Sequence, residues 1–187
     1  DNMQQLIALA KSQPGKVSIG HGGNGTAMHL STALFTQMAD IKLIEVPYRG
    51  SGPALNDAVA GQVPLIFDNL PSALPFIKEK RLVALVVAAP QRVPALPDVP
   101  TFKEVGLEPV NRMAYYGFIA PKGLPKDVTD KIYNATQQAL KDPAVRKRIE
   151  DTGSLIVANT PEQFTAQIKA EFEVYKDVVA KQRLSLE

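Results

Sequence analysis

Residues 17–30, Val-Ser-Ile-Gly-His-Gly-Gly-Asn-Gly-Thr-Ala-Met-His-Leu, run from a short apolar stretch through four glycines into a helix start. This arrangement leaves few folds open. A strand that turns through glycines into a helix is the first part of a β-loop-α unit, and the helix offers unpaired N–H groups with partial positive charge at the loop. Gly20, Gly22, Gly23 and Gly25 permit backbone angles closed to other residues and let a ligand approach the main chain. A carboxylate or phosphate suits such a seat.

The unit recurs. Asn2, with Asp1 before it, can cap an opening helix in which Met3, Leu6, Ile7, Leu9 and Ala10 fall at helical spacing. After the glycine loop, a helix is predicted from Thr26 to Met38, and a strand over Ile41–Val46. The loop 47–52 carries Tyr48, Arg49 and Gly50, and Pro53 opens a helix to Ala60 that Gly61 stops. A third unit follows: strand Val63–Phe67, a loop with Asp68 and Asn69, and helix Ser72–Lys80. Leu82–Ala89 reads as a strand buried on both faces. The pattern predicts an α/β chain with a parallel sheet flanked by helices. Its loops 20–26, 47–52 and 68–72 meet in one crevice at the carboxyl ends of the strands.

Pro90–Pro109 holds five of the fifteen prolines and a short predicted helix, Thr101–Val105, and reads as a stiff connector between residues 1–110 and 111–187. The second part is predicted as strand Tyr115–Ala120, helices Asp127–Leu140, Pro143–Asp151 and Pro161–Lys181, and a short strand Leu155–Val157. Two strands do not make a sheet that stands alone. The second part therefore needs strands from elsewhere, and the abrupt helical start suggests a segment missing before Asp1. Leu186-Glu187 reads equally as a cloning scar or an ordinary tail.

Composition narrows the function. The formal charge of +2, with acids and bases interspersed, gives no basic stripe, so neither nucleic acid nor an anionic membrane surface is an expected partner. Without cysteine there is no disulfide and no thiolate metal site, which suits an oxidising compartment. His21 and His29 are the only histidines, and no acid stands at ligand spacing around them in sequence, so no metal is expected. No nucleophile–base set, phosphate-binding lysine motif or paired carboxylates can be assembled from the loops, and no catalytic residue or cofactor is expected.

Binding remains. The candidate ligand-binding residues are Gly22, Gly23, Asn24, Gly25, Thr26 and His29 in the first loop, Tyr48, Arg49 and Gly50 in the second, and Asp68 and Asn69 in the third. Each has a plainer reading: Asp68 and Asn69 as helix caps, Arg49 as an ordinary surface charge, the glycines as a turn that needs them. Gly20, Gly22 and Gly25 also match G-x-G-x-x-G, with Glu45 twenty residues beyond Gly25, so the alternative is a dinucleotide-binding oxidoreductase domain. His21-Gly22-Gly23 could form an esterase oxyanion segment, but the chain has no G-x-S-x-G.

Taken together, several motifs in order carry a family resemblance: the loop Gly20–Thr26 with His29-Leu30, then Val46-Pro47-Tyr48-Arg49-Gly50, Phe67-Asp68-Asn69-Leu70-Pro71-Ser72-Ala73-Leu74, Pro94–Thr101, Tyr116–Pro121 and Leu140–Arg146. Over nearly its whole length the chain resembles the substrate-binding proteins of tripartite tricarboxylate transporters, the Bug family of periplasmic solute receptors. The resemblance implies a Venus-flytrap fold of the periplasmic binding protein type II class. A small organic acid or amino-acid-like carboxylate would sit between two lobes, and the closed receptor would dock on membrane transporter subunits, catalysing nothing. Residues 1–110 would be the second lobe, and the rest would complete a first lobe whose opening segment is absent, leaving edges that promote dimerisation or swapping. The ligand carboxylate would accept from N–H groups of the 22–26 loop, assisted by the Thr26 hydroxyl, the helix dipole and His29. The family often has serine where His21 and Thr26 stand.

Overall fold

The computed structural model describes residues 2–184; Asp1, Leu186 and Glu187, named above, lie outside the described residues. Helix α1, Met3–Ser12, starts at Asn2, whose side chain accepts from the Gln5 N–H. Strand β1, Ser18–His21, leads into the glycine loop and helix α2, Ala27–Ala39, with Thr26 at the N-cap and Asp40 closing the helix in the left-handed region. Strand β2, Ile44–Pro47, is followed by helix α3, Ser51–Val59, and strand β3, Leu65–Ile66, by helix α4, Leu70–Lys78. Three β-loop-α units thus follow one another as predicted.

The sheet is parallel with order β2-β1-β3, so β1 is its middle strand. Ile19 stands opposite Glu45 on one side and Leu65 on the other, and His21 opposite Pro47. The order places the glycine loop between the other two loops, because all three leave the same end of the sheet. The core packs α1 and α2 against the proline-rich connector: Met3, Ala10, Leu34, Phe35, Phe102 and Val110 are buried together. Phe102 anchors it, stacked on Phe67 and tilted against Phe35, each with ring centroids 6.0 Å away.

Four predicted elements differ. Leu82–Ala89 makes no ladder beyond one parallel bridge from Val87 to Thr101, and Val83 is 75% exposed, so it is not a strand buried on both faces. Tyr115–Ala120 and Leu155–Val157 likewise form no strand. The reason is common to all three: a strand exists only through backbone pairing, and among the described residues none supplies it. Thr101–Val105 forms turns, not a helix, and a short 3₁₀ turn follows at Glu108–Val110.

Three helices complete the chain: α5, Lys126–Ala139, α6, Pro143–Glu150, and α7, Pro161–Gln182. Asp142 caps α6, and Thr160 with Gln163 forms a reciprocal capping box on α7. The far end of α7 returns to the first core, where Val178 is buried beside α2. No helix among the described residues is long and apolar enough to cross a membrane.

One side chain ties the connector at both ends. Asn111 accepts from the Ala89 N–H at 3.1 Å and donates to the Ala89 carbonyl at 2.7 Å, replacing the backbone partner that Ala89 lacks. Asn111→Ala leaves both groups unpaired beside a buried residue, so it should lower unfolding free energy in urea by about 1–3 kcal/mol. An unchanged midpoint would show that the pairing carries no weight.

Candidate functional site

The glycine loop spends several of its donors on itself. Gly23 sits at φ +120 and Gly25 at φ +74, angles that suit glycine. The Gly23 N–H donates to Nδ1 of His21 at 3.3 Å, and the Gly25 N–H to Nδ1 of His29 at 2.9 Å. The Thr26 N–H and hydroxyl both donate to the Gly23 carbonyl, at 3.3 and 2.7 Å, while the hydroxyl accepts from the His29 N–H. Among the described residues, the N–H groups of Gly22, Asn24, Ala27 and Met28 have no acceptor. Free donors are therefore fewer over residues 22–26 than expected, and they continue into the first turn of α2. Thr26 serves as the helix cap.

Both histidines turn inward. His21 is 1% and His29 5% exposed, their rings stacked at 4.8 Å with 14° between planes. Glu45 Oε2 lies 3.1 Å from His29 Nε2 and 3.7 Å from His21 Nε2. Spacing along the chain hid this carboxylate, but pairing reveals it: Glu45 is in register with Ile19, and His21, two residues on, shares that face of the sheet. The same contact counts against the dinucleotide reading, since the acid that would hold a ribose is engaged by His29.

The three groups could together reach one metal ion. Their tautomers speak against it: with Nδ1 of each ring accepting a backbone N–H, the ring hydrogen sits on Nε2, the atom that a metal would need. Burial, then the neighbouring His29, hold His21 below the usual imidazole range. Burial raises Glu45 above the usual carboxylate range, opposed by the charge and hydrogen bond of His29.

The other candidates are spread around this loop. The Gly50 N–H donates to the Gly22 carbonyl and the Tyr48 N–H to that of His21, so the second loop is strapped to the first. Tyr48 places its hydroxyl on Asp57 at 2.8 Å and its ring edge near Gly20. Arg49 and Asn24 are exposed. Asp68 accepts from the Ser51 hydroxyl at 2.5 Å, and burial raises its carboxyl above the usual range against the pull of Ser51 and the Asn69 N–H. Asn69 stands at the N-cap of α4 without a side-chain cap bond and instead points its amide at Met28 Sδ. Ala27, Met28, Asp68 and Asn69 line one wall of an open, largely apolar trough of about 1680 Å³, with Tyr116 and Phe118 on another.

Two expectations follow. A Cβ on Gly23 would meet the Tyr48 carbonyl oxygen at 2.9 Å at a backbone angle unsuited to alanine, whereas one on Gly22 would clash with the far end of the flexible Met28 side chain and meet the Gly50 and Ser51 backbone at ordinary contact, 3.5 and 3.6 Å. Gly23→Ala should cost about 1–3 kcal/mol in denaturant unfolding, and Gly22→Ala clearly less. For His21, whose folded pKa is depressed, the neutral ring favours the fold: its contribution is complete above about pH 6.5 and is lost as pH falls through the lower folded value. Glu45 works in the opposite sense, its contribution being lost as pH rises through a raised value. Thermal unfolding should show a midpoint that falls from about pH 7.5 to about 5.5, and falls less in His21→Asn.

Comparison with known proteins fits this geometry. A solved periplasmic transporter superposes with a TM-score of 0.91 at 43% identity, covering 100% of this chain and 62% of its own. MatC from Rhodopseudomonas palustris, solved with bound malate, gives 0.80 at 30%, covering 96% and 62%. An R. palustris protein solved with adipate gives 0.83 at 26%, covering 98% and 62%. The chain spans about half the length of most curated relatives it matches, for example 55% of a Pseudomonas sp. strain P51 protein that is 35% identical over 98% of this chain. The model of the tripartite tricarboxylate transporter family receptors matches residues 1–184, and the chain belongs to that family.

Proposed function

We propose that this chain is the carboxylate-seating part of a periplasmic receptor that captures a small organic acid and presents it to the membrane subunits of a tripartite tricarboxylate-type transporter, without catalysing a reaction. The observation that carries the reading is the set of free N–H groups at the start of α2, on Ala27 and Met28, where the helix dipole adds positive potential. Those residues line the trough, so an anion entering it meets them directly. Malate and adipate, found in two similar structures, share two carboxylates and little else. A site built on main-chain donors recognises that shared part. Residues 1–110 form one lobe in this reading. Residues 111–187 contribute mainly to the other, whose exposed Phe118 and Ile119 would favour self-association when uncovered.

The reading separates cleanly from nucleotide binding. Malate or adipate at a hundredfold excess over its dissociation constant should stabilise the protein by about 2.7 kcal/mol, which is a rise in melting temperature of roughly 5–10 °C. NAD or NADP should give none. Gly25→Val, which forces a branched side chain into a φ of +74, should abolish the carboxylate response. Stabilisation by the dinucleotide, or a panel of small carboxylates without effect on the full-length receptor, would overturn the assignment.

A further inference from the structure

We propose that His21 and His29 are positioning residues that decide which N–H groups of the glycine loop face a ligand. Each offers an unprotonated Nδ1 to one loop amide, and Glu45, on the Nε2 side, holds the rings in that tautomer. The role in binding rests on the carboxylate-seat reading; the latch itself does not.

The geometry leaves little choice of tautomer. Nδ1 of His29 lies 2.9 Å from the Gly25 nitrogen, and that of His21 3.3 Å from the Gly23 nitrogen, so a hydrogen on either Nδ1 would point at another hydrogen. Both ring hydrogens then belong on Nε2, where Glu45 Oε2 is bonded to His29 and is the nearby acceptor for His21. His21 Nε2 is buried and has no acceptor within hydrogen-bond distance, so the charge of Glu45 Oε2, 3.7 Å away, is what favours a hydrogen there. The titratable groups facing the pair are the other ring and Glu45 from β2. Asp57 from α3 is engaged with Tyr48, and Asp68 before α4 with Ser51.

The consequence is selection among donors. With the Gly23 and Gly25 N–H groups drawn to the rings, Gly22, Asn24 and the first turn of α2 present the remaining ones. A hydrogen on Nδ1 of either ring would release its amide and let the loop refold, so binding depends on both rings keeping Nδ1 bare.

Nitrogen-15 NMR of the full-length receptor reads the tautomers without any ligand. Both rings are expected to carry hydrogen on Nε2 at about pH 7.5, with the Gly23 and Gly25 amides protected from exchange. Calorimetric titration with malate then tests the consequence. His29→Asn puts an amide oxygen near the place of Nδ1 and should keep affinity within about threefold. His29→Leu, which removes the acceptor, should lose about tenfold or more.

A hydrogen on Nδ1 in either ring, full affinity in His29→Leu, or stoichiometric zinc binding that His29→Asn abolishes would each overturn the proposal. If His29→Leu does not fold by circular dichroism, the wild-type tautomers and His29→Asn decide. A wild-type receptor that ignores both malate and adipate sinks the carboxylate seat and with it the binding role. The tautomers and amide protection would still judge the latch.

Discussion

The pairing of β1 with β2 is the constraint on which the loop depends. Because Ile19 is opposite Glu45, a carboxylate arrives on the same side of the sheet as His21, at the point where β1 gives way to glycine. The helix that follows brings His29 over His21, and the acid and two imidazoles close on one another. Shifting the register by one residue would turn Glu45 to the other face of the sheet. The loop would then keep its glycines and lose the group that orders the rings beneath it.

The loop, the helix starts and the order of elements were legible because each rests on a local rule. Asn2, Thr26, Asp142 and Thr160 stand before apolar-periodic stretches, and each accepts at its helix start in the structure. Three glycine- or proline-marked turns after apolar stretches gave three parallel units, and the sheet has that form. Signals of this kind depend on neighbours within about four residues, which a sequence displays directly.

What escaped was set by distant partners. Leu82–Ala89 has the apolar content of a buried strand, yet Val83 faces solvent, because burial on two faces requires neighbours on two sides. Tyr115–Ala120 and Leu155–Val157 fail as strands on the same ground. At the site, the loop displays its donors in the sequence but not their occupancy. Thr26 has its hydroxyl and Gly25 its N–H, but Gly23 and His29 claim them. Glu45 entered the reading as a ribose contact and not as a histidine partner, because the distance that matters runs across the sheet and not along the chain.

The donors left over also limit what this chain can do by itself. A hydrogen bond to a charged group contributes about 1.5–3 kcal/mol, so the Ala27 and Met28 amides together offer roughly 3–6 kcal/mol to a carboxylate. Micromolar binding needs about 8 kcal/mol after the cost of ordering the ligand. In the proposed reading, the seat on α2 would therefore account for one carboxylate and part of the affinity. The balance must come from the rest of the trough and from whatever closes over it. A second carboxylate, or a hydroxyl, would be read there by groups other than these amides. On that reading, selectivity among organic acids would belong to the walls around the seat, while the first turn of α2 would supply the demand for negative charge that such ligands share.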